Sequence, residues 1–171
     1  IELMIVIAVI GILAIVLIPK VGTVKTQAKE TGLDVNVRAV QAYCESKITK
    51  WVSKANTNAN VGADIAAALT GQNKSLTNPF TAQTTPAVIG ADSDAGNNSS
   101  VLVLNTTDGA DPGTDADDLS GTIVVAINGN NNTDTDSDGI NDSNIPISSI
   151  NIYAHDQSGV LISEKTVNII P

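Results

Sequence analysis

The chain is poor in the residues on which most catalytic and metal sites depend. Its single cysteine excludes an intrachain disulfide or a zinc site of several cysteines, and its single histidine removes most histidine-based metal chemistry. Four aromatic residues are too few for a base-stacking platform. There is also no nucleophile–histidine–acid set and no phosphate-binding loop, so we expect no enzyme activity. The scarce residues are Cys44, His155, Tyr43, Trp51, Phe80 and Tyr153.

Positive charge is also scarce, and it is unevenly distributed. Nine Lys and Arg against eighteen Asp and Glu give a net charge of −9, and no cation occurs between Lys74 and Lys165. This balance argues against a generally basic surface for nucleic acid. The composition divides the chain into three zones: an apolar helix over residues 1–19, its amphipathic continuation over 20–55, and an acidic globular region over 56–171.

The first zone is almost wholly apolar. Among residues 1–18 the exceptions are Glu2 and Gly11. As a helix, this segment would be about 27 Å long, close to the roughly 30 Å core of a bilayer. A signal peptide is disfavoured because no small-residue cleavage pattern is present around Pro19. Burial of the Glu2 carboxylate deep in the bilayer would cost up to about 3 kcal/mol. In a simple membrane anchor, Glu2 would therefore lie at the membrane surface and have no further role.

The string IELMIVIAVIGILAI over residues 1–15 resembles the N-terminal segment of type IV pilins and the related pseudopilins. Glu2 matches the family's glutamate, Gly11 its mid-helix glycine and Pro19 its helix-kinking proline, all at the family's mutual spacing. The match is weaker over residues 20–54 and has no motif beyond them. The sequence lacks the N-methylated aromatic residue with which the family's mature chain normally begins, and the basic leader that precedes it.

This resemblance implies a structural subunit of an extracellular type IV pilus, with a role in adhesion or motility. The subunit would lie in the cytoplasmic membrane, in contact with lipid and with the pilus assembly machinery, before it polymerises with copies of itself. In the family, the glutamate matched by Glu2 is thought to pair with the N-terminal amine of a neighbouring subunit. Because a buried carboxylate is tolerated only when paired, such a pair favours one register between subunits.

The second zone has helical periodicity. Its apolar residues recur at steps of three or four and form a stripe, with charged residues on the other faces. Gly11, Pro19 and Gly22 are weak points of the helix, and they predict either a kink or local melting on assembly. The predicted stripe consists of Leu33, Val37, Val40, Cys44, Ile48, Trp51 and Ala55.

The third zone predicts a short helix, several strands and one hairpin turn at residues 156–159. The helix is expected over residues 64–69. The fold class is therefore α+β, with a long N-terminal helix packed on a small antiparallel sheet. The predicted strands are residues 101–104, 122–128, 147–155, 160–163 and 166–170.

One loop of the third zone has the spacing of a calcium site. Carboxylates at alternate positions converge on one side of a tight loop, a glycine allows the turn, and the next carbonyl adds a ligand. The pattern D-x-D-x-D-G departs from an EF-hand because isoleucine occupies its twelfth position, so a solitary or thrombospondin-like loop fits better. The alternative is a flexible acidic loop. The expected ligands are Asp134, Asp136, Asp138, Ile140 and Asp142.

Two other functional classes remain open at the level of the sequence. A pseudopilin of a type II secretion system shares the apolar start, and pseudopilins also bind calcium in some cases. A membrane-anchored calcium-binding module that never polymerises would retain the anchor and the acidic loop, and substitution of Glu2 would leave its behaviour unchanged.

The calcium hypothesis predicts that the melting temperature rises when calcium is added and falls in a chelator. Binding to the folded state stabilises that state by linkage, and here the ion would hold the end of a sheet that has no disulfide. Thermal unfolding followed by circular dichroism in both conditions tests this, and equal melting temperatures would contradict it.

Overall fold

A computed structural model of the chain describes residues 1–54, 58–70, 76–82, 88–90, 99–106, 119–129 and 147–171. The helices are α1 (Glu2–Ser53) and α2 (Asn58–Thr70), and a 3₁₀ turn covers Ser163–Lys165. The strands are β1 (Val88–Gly90), β2 (Val101–Thr106), β3 (Ile123–Asn128), β4 (Ser149–Ala154) and β5 (Val167–Ile169).

The five strands form one mixed sheet in chain order, with β1–β2 and β2–β3 parallel and β3–β4 and β4–β5 antiparallel. The α+β class, the long N-terminal helix and the small sheet are confirmed, but the prediction of an antiparallel sheet was wrong. The apolar run of β2 is buried on both faces, as in parallel strands generally, and Leu102 and Val103 are each at most 1% exposed. Residues 107–122 give the chain enough length for a parallel crossover.

Three local predictions also differ from the structure. Helix α2 begins at Asn58 instead of residue 64, and the short edge strand β1 was not predicted. The strand expected over residues 160–163 was wrong, because only Leu161 forms a bridge, with His155, before the chain enters the 3₁₀ turn. The turn itself is confirmed: Asp156 Oδ1 accepts hydrogen bonds from the backbone N–H groups of Ser158 and Val160.

Helix α1 packs on the sheet through the predicted stripe. Six of the seven stripe residues are at most 6% exposed, and Ala55 lies outside the described residues. Alternate residues of β2, β3 and β4 point toward α1 and α2 and complete one core with them. The buried stripe residues are Leu33, Val37, Val40, Cys44, Ile48 and Trp51.

Residues 76–82 attach the first part of this stripe to the sheet. Lys29 Nζ donates to the Phe80 carbonyl at 3.3 Å, and Asn36 Nδ2 donates to the Thr77 carbonyl at 2.9 Å. The fully buried Asn78 side chain donates to the Ser120 carbonyl at 2.7 Å and accepts from the Phe80 N–H at 2.9 Å. One short segment thereby links α1 to the beginning of β3.

Gly121 allows this close approach. Its φ is +66°, in the left-handed region that glycine adopts readily. A Cβ at this position would lie 2.6 Å from Phe80 Cδ2 and still closer to Asn78 Oδ1. Both the backbone conformation and the adjacent side chains therefore require glycine.

We predict that Gly121→Ala lowers the free energy of unfolding by about 2–4 kcal/mol, because it adds left-handed strain to an overpacked contact. Urea unfolding followed by tryptophan fluorescence measures this change. Gly22→Ala is the matched control, since a Cβ there has no atom within 4 Å. The control is expected to leave the unfolding midpoint unchanged or raised, and an equal loss in both variants would contradict this explanation.

Candidate assembly surface

The first half of α1 extends away from the domain. Every residue before Lys29 whose side chain is described is exposed, and at 1.5 Å per residue this part of the helix is about 42 Å long. Twelve large apolar side chains among residues 1–16 are between 50% and 98% exposed. They cover all sides of the helix, a pattern that soluble helices show only when they are buried in a larger core. In the described parts of the chain, no helix is both long and apolar enough to cross a membrane.

Glu2 lies in the first turn of this apolar segment. Its carboxylate is near the positive end of the helix dipole, a favourable position for an acidic group. The exposed side chain borders a shallow recess together with Ile1, Leu3 and Val6. The carboxylate is thus accessible at the tip of a surface that is otherwise apolar, and its predicted pairing with an amine of another copy remains a prediction.

Helix α1 is continuous through the three predicted weak points, Gly11, Pro19 and Gly22. A Cβ at Gly11 or at Gly22 would have no atom within 4 Å, so neither glycine is required for a close contact within the chain. The predicted melting on assembly is not tested by the isolated chain.

The predicted calcium ligands, Asp134, Asp136, Asp138, Ile140 and Asp142, lie outside the described residues. Within the described ranges, no group of three or more Cys, His, Asp and Glu side chains is placed to hold a metal ion. The only histidine, His155, is buried at the end of β4, where Nδ1 lies 3.2 Å from the Thr122 carbonyl.

Two polar contacts hold the second half of α1 in place on opposite sides. On one side, Trp51 Nε1 donates to Asp64 Oδ2 of α2 at 2.8 Å, and the Trp51 ring packs edge-on against Tyr43. On the other side, Lys165 Nζ in the 3₁₀ turn lies 2.6 Å from Asp34 Oδ1. The helix therefore cannot roll on the sheet without breaking a contact on one side.

Sequence reasoning missed several of these residues. Asn78, Gly121, Asp64 and Lys165 act through contacts between segments that are distant along the chain, so no local spacing identifies them. The one available signal was the position of Lys165, which is the only cation after Lys74. A lone cation in an acidic region favours an ion pair, but it does not indicate the partner.

Burial changes the acidity of two neighbouring groups on α1. Loss of solvent, with a smaller effect of the Glu45 charge, raises the pKa of the Cys44 thiol from 9.0 to about 12. Loss of solvent and then the negative charge of Asp64 raise the pKa of Tyr43 to about 12. Cys44 therefore remains a neutral, buried thiol at physiological pH, which agrees with its position on the apolar stripe.

Comparisons of the chain with protein-family models, with curated proteins and with solved structures found no match.

The raised pKa of Cys44 predicts that the folded chain loses stability above pH 9. Between pH 9 and 12 the unfolded chain releases the thiol proton while the folded chain retains it, so the free energy of unfolding falls as the pH rises. Between about pH 8 and about pH 10.5, the ionisation of Cys44 should lower the free energy of unfolding by an amount on the order of 2 kcal/mol. Urea unfolding at both pH values, with Cys44→Ala as the comparison, measures it. An equal decrease in the two proteins would contradict the assignment to Cys44.

Proposed function

We propose that this chain is the structural subunit of a type IV pilus-like filament, whose core consists of the N-terminal halves of α1 from many copies. The single observation that carries the proposal is the exposed apolar surface of residues 1–16. At 1.5–3 kcal/mol for each large side chain, burial of its twelve large apolar residues is worth on the order of 20–35 kcal/mol. Water is therefore a poor environment for this surface.

The shape of the chain supports a filament over a closed dimer. The apolar segment is separated from the sheet by an exposed stretch of α1, and a helix that is apolar on all sides can contact several neighbours at once. Parallel packing of such segments along one axis would leave each globular domain on the outside. The composition of residues 81–171, with thirteen carboxylates and one cation, suits a solvated outer surface.

Glu2 would set the register of this core. When the apolar segments pack, the carboxylate at the tip of α1 is removed from water, and it needs a positive partner to remain charged. The N-terminal amine of a neighbouring copy is the partner that the pilin resemblance implies. Such a pair contributes specificity of register more than net stability.

Before assembly, the same apolar segment requires lipid, so we place the unassembled subunit in the cytoplasmic membrane. Export into the filament would depend on separate assembly machinery, since the chain has no nucleotide-binding loop. The assembled filament would be extracellular and would serve adhesion or motility through the acidic outer surface.

We predict that Glu2→Ala abolishes filaments and leaves the domain folded. Removal of one member of a buried pair costs about 3–5 kcal/mol, enough to lower the amount of filament more than tenfold. The measurement is electron cryo-microscopy of material sheared from cells that express the chain, with mass spectrometry to identify the subunit.

Met4→Leu is the matched control, because it retains an exposed apolar side chain on the same turn of α1. Filaments are expected for the wild type and the control, with residues 1–16 along the axis. Normal filaments from Glu2→Ala would contradict the role of Glu2, and a wild-type chain found only as dispersed membrane protein would contradict the filament itself.

A further inference from the structure

Charge on the second half of α1 is segregated to the two sides of its buried stripe. At about 100° per residue, five lysines fall within about 60° of one another on one side of the helix. We call this set the basic shoulder: Lys25, Lys29, Lys47, Lys50 and Lys54. Three carboxylates fall within a similar arc on the other side, and we call them the acidic shoulder: Glu30, Asp34 and Glu45.

The contacts of α1 with its own domain agree with this division. On the basic side, Lys29 donates to the Phe80 carbonyl, and Lys47 Nζ lies 5.8 Å from the ring centre of Tyr43, which itself contacts α2. On the acidic side, Asp34 contacts the 3₁₀ turn through Lys165. The basic shoulder thus borders α2 and residues 76–82, and the acidic shoulder borders the turn before β5.

Most of this charge is not neutralised by the described part of the same chain. Lys25, Lys50 and Lys54 are exposed, as are Glu30 and Glu45. The Asp34–Lys165 contact is the only ion pair between residues that the structure describes.

Each side also holds some charge of the opposite sign. The Asp64 carboxylate lies beside the basic shoulder, and Arg38 and Lys165 share a groove with Asp34 on the acidic side. The same groove includes the exposed Glu164, which adds to the acidic side. Each side therefore keeps an excess of one sign.

We infer that the basic shoulder of one copy docks against the acidic shoulder of the next copy in the assembly; this inference rests on the proposed filament. Helix α1 is uninterrupted from Glu2 to Ser53. When the helices of neighbouring copies pack through residues 1–16, their second halves therefore also lie next to each other. The two shoulders are different surfaces, so the contact between copies is heterologous. It leaves one unoccupied shoulder at each end of a growing row of subunits. Complementary charges select this register, and like charges placed opposite each other disfavour the alternatives.

The test uses two charge-reversal variants of the full chain. Lys25→Glu/Lys50→Glu/Lys54→Glu changes the formal charge of the basic shoulder from +5 to −1, so that both shoulders are acidic. Glu30→Lys/Glu45→Lys changes the acidic shoulder from −3 to +1, so that both shoulders are basic. All five side chains are exposed, and the hydrogen bond that Gln41 Nε2 donates to Glu45 Oε1 lies within α1. Each variant should therefore fold, which the thermal melting of the domain verifies.

Filament formation is measured by sedimentation and negative-stain electron microscopy as the purified chain is diluted out of detergent. Each variant alone should need about a tenfold higher concentration than the wild type to assemble, because like charges then face each other. An equimolar mixture of the two should assemble close to the wild-type concentration, since unlike shoulders meet again. The variant that combines all five substitutions has both shoulders reversed and should also assemble alone. Gln157→Glu, in the exposed turn after β4, is the control for added negative charge and should assemble as the wild type does.

The outcomes separate this inference from the proposed function. A wild-type chain that forms no filament contradicts both. Wild-type filaments together with unimpaired variants contradict the shoulder contact alone. Loss of assembly in the lysine variant without rescue in the mixture would show that the lysines dock on a surface other than the acidic shoulder, which also overturns the inference.

Discussion

The packing of one stripe of α1 against the sheet is the interaction on which the rest of the structure depends. It closes the main core, and it sets the direction in which the free half of the helix leaves the domain. The same continuous helix therefore has two environments. Its second half buries a narrow stripe within the chain, whereas residues 1–16 are apolar on every side and exposed. Burial of the stripe anchors the domain, and in the proposed filament further copies would cover residues 1–16.

The domain is held to this helix by contacts that differ in kind on each side of the stripe. The buried Asn78 amide and the Gly121 backbone fit together at one end, and the Trp51–Asp64 hydrogen bond and the Asp34–Lys165 ion pair restrain the flanks. Apolar contacts alone are non-directional, so they would permit the helix to roll or slide. The polar contacts give the helix one rotational setting, and that setting determines where each charged shoulder of α1 would face in the proposed filament.

The proposed filament combines a strong, unspecific interaction with weaker, specific ones. Apolar burial of residues 1–16 supplies most of the free energy of association, but uniform apolar sides do not distinguish one register from another. Glu2 and the two charged shoulders would make that distinction at two levels along α1. A long, continuous helix suits this combination because it fixes the distance and the rotation between the apolar segment and the charged shoulders.

The sequence alone determined the features that depend on local periodicity: the long helix, its change from uniformly apolar to amphipathic, the buried stripe that includes Cys44, and the turn at Asp156. Each follows from the spacing of neighbouring residues. Only the tertiary structure decided the parallel pairing of β2 with β3, the loss of the strand at residues 160–163, and the roles of Asn78, Gly121 and Lys165. Those features depend on contacts between segments that are far apart along the chain, and the hydrophobic pattern is the same for either direction of a buried strand.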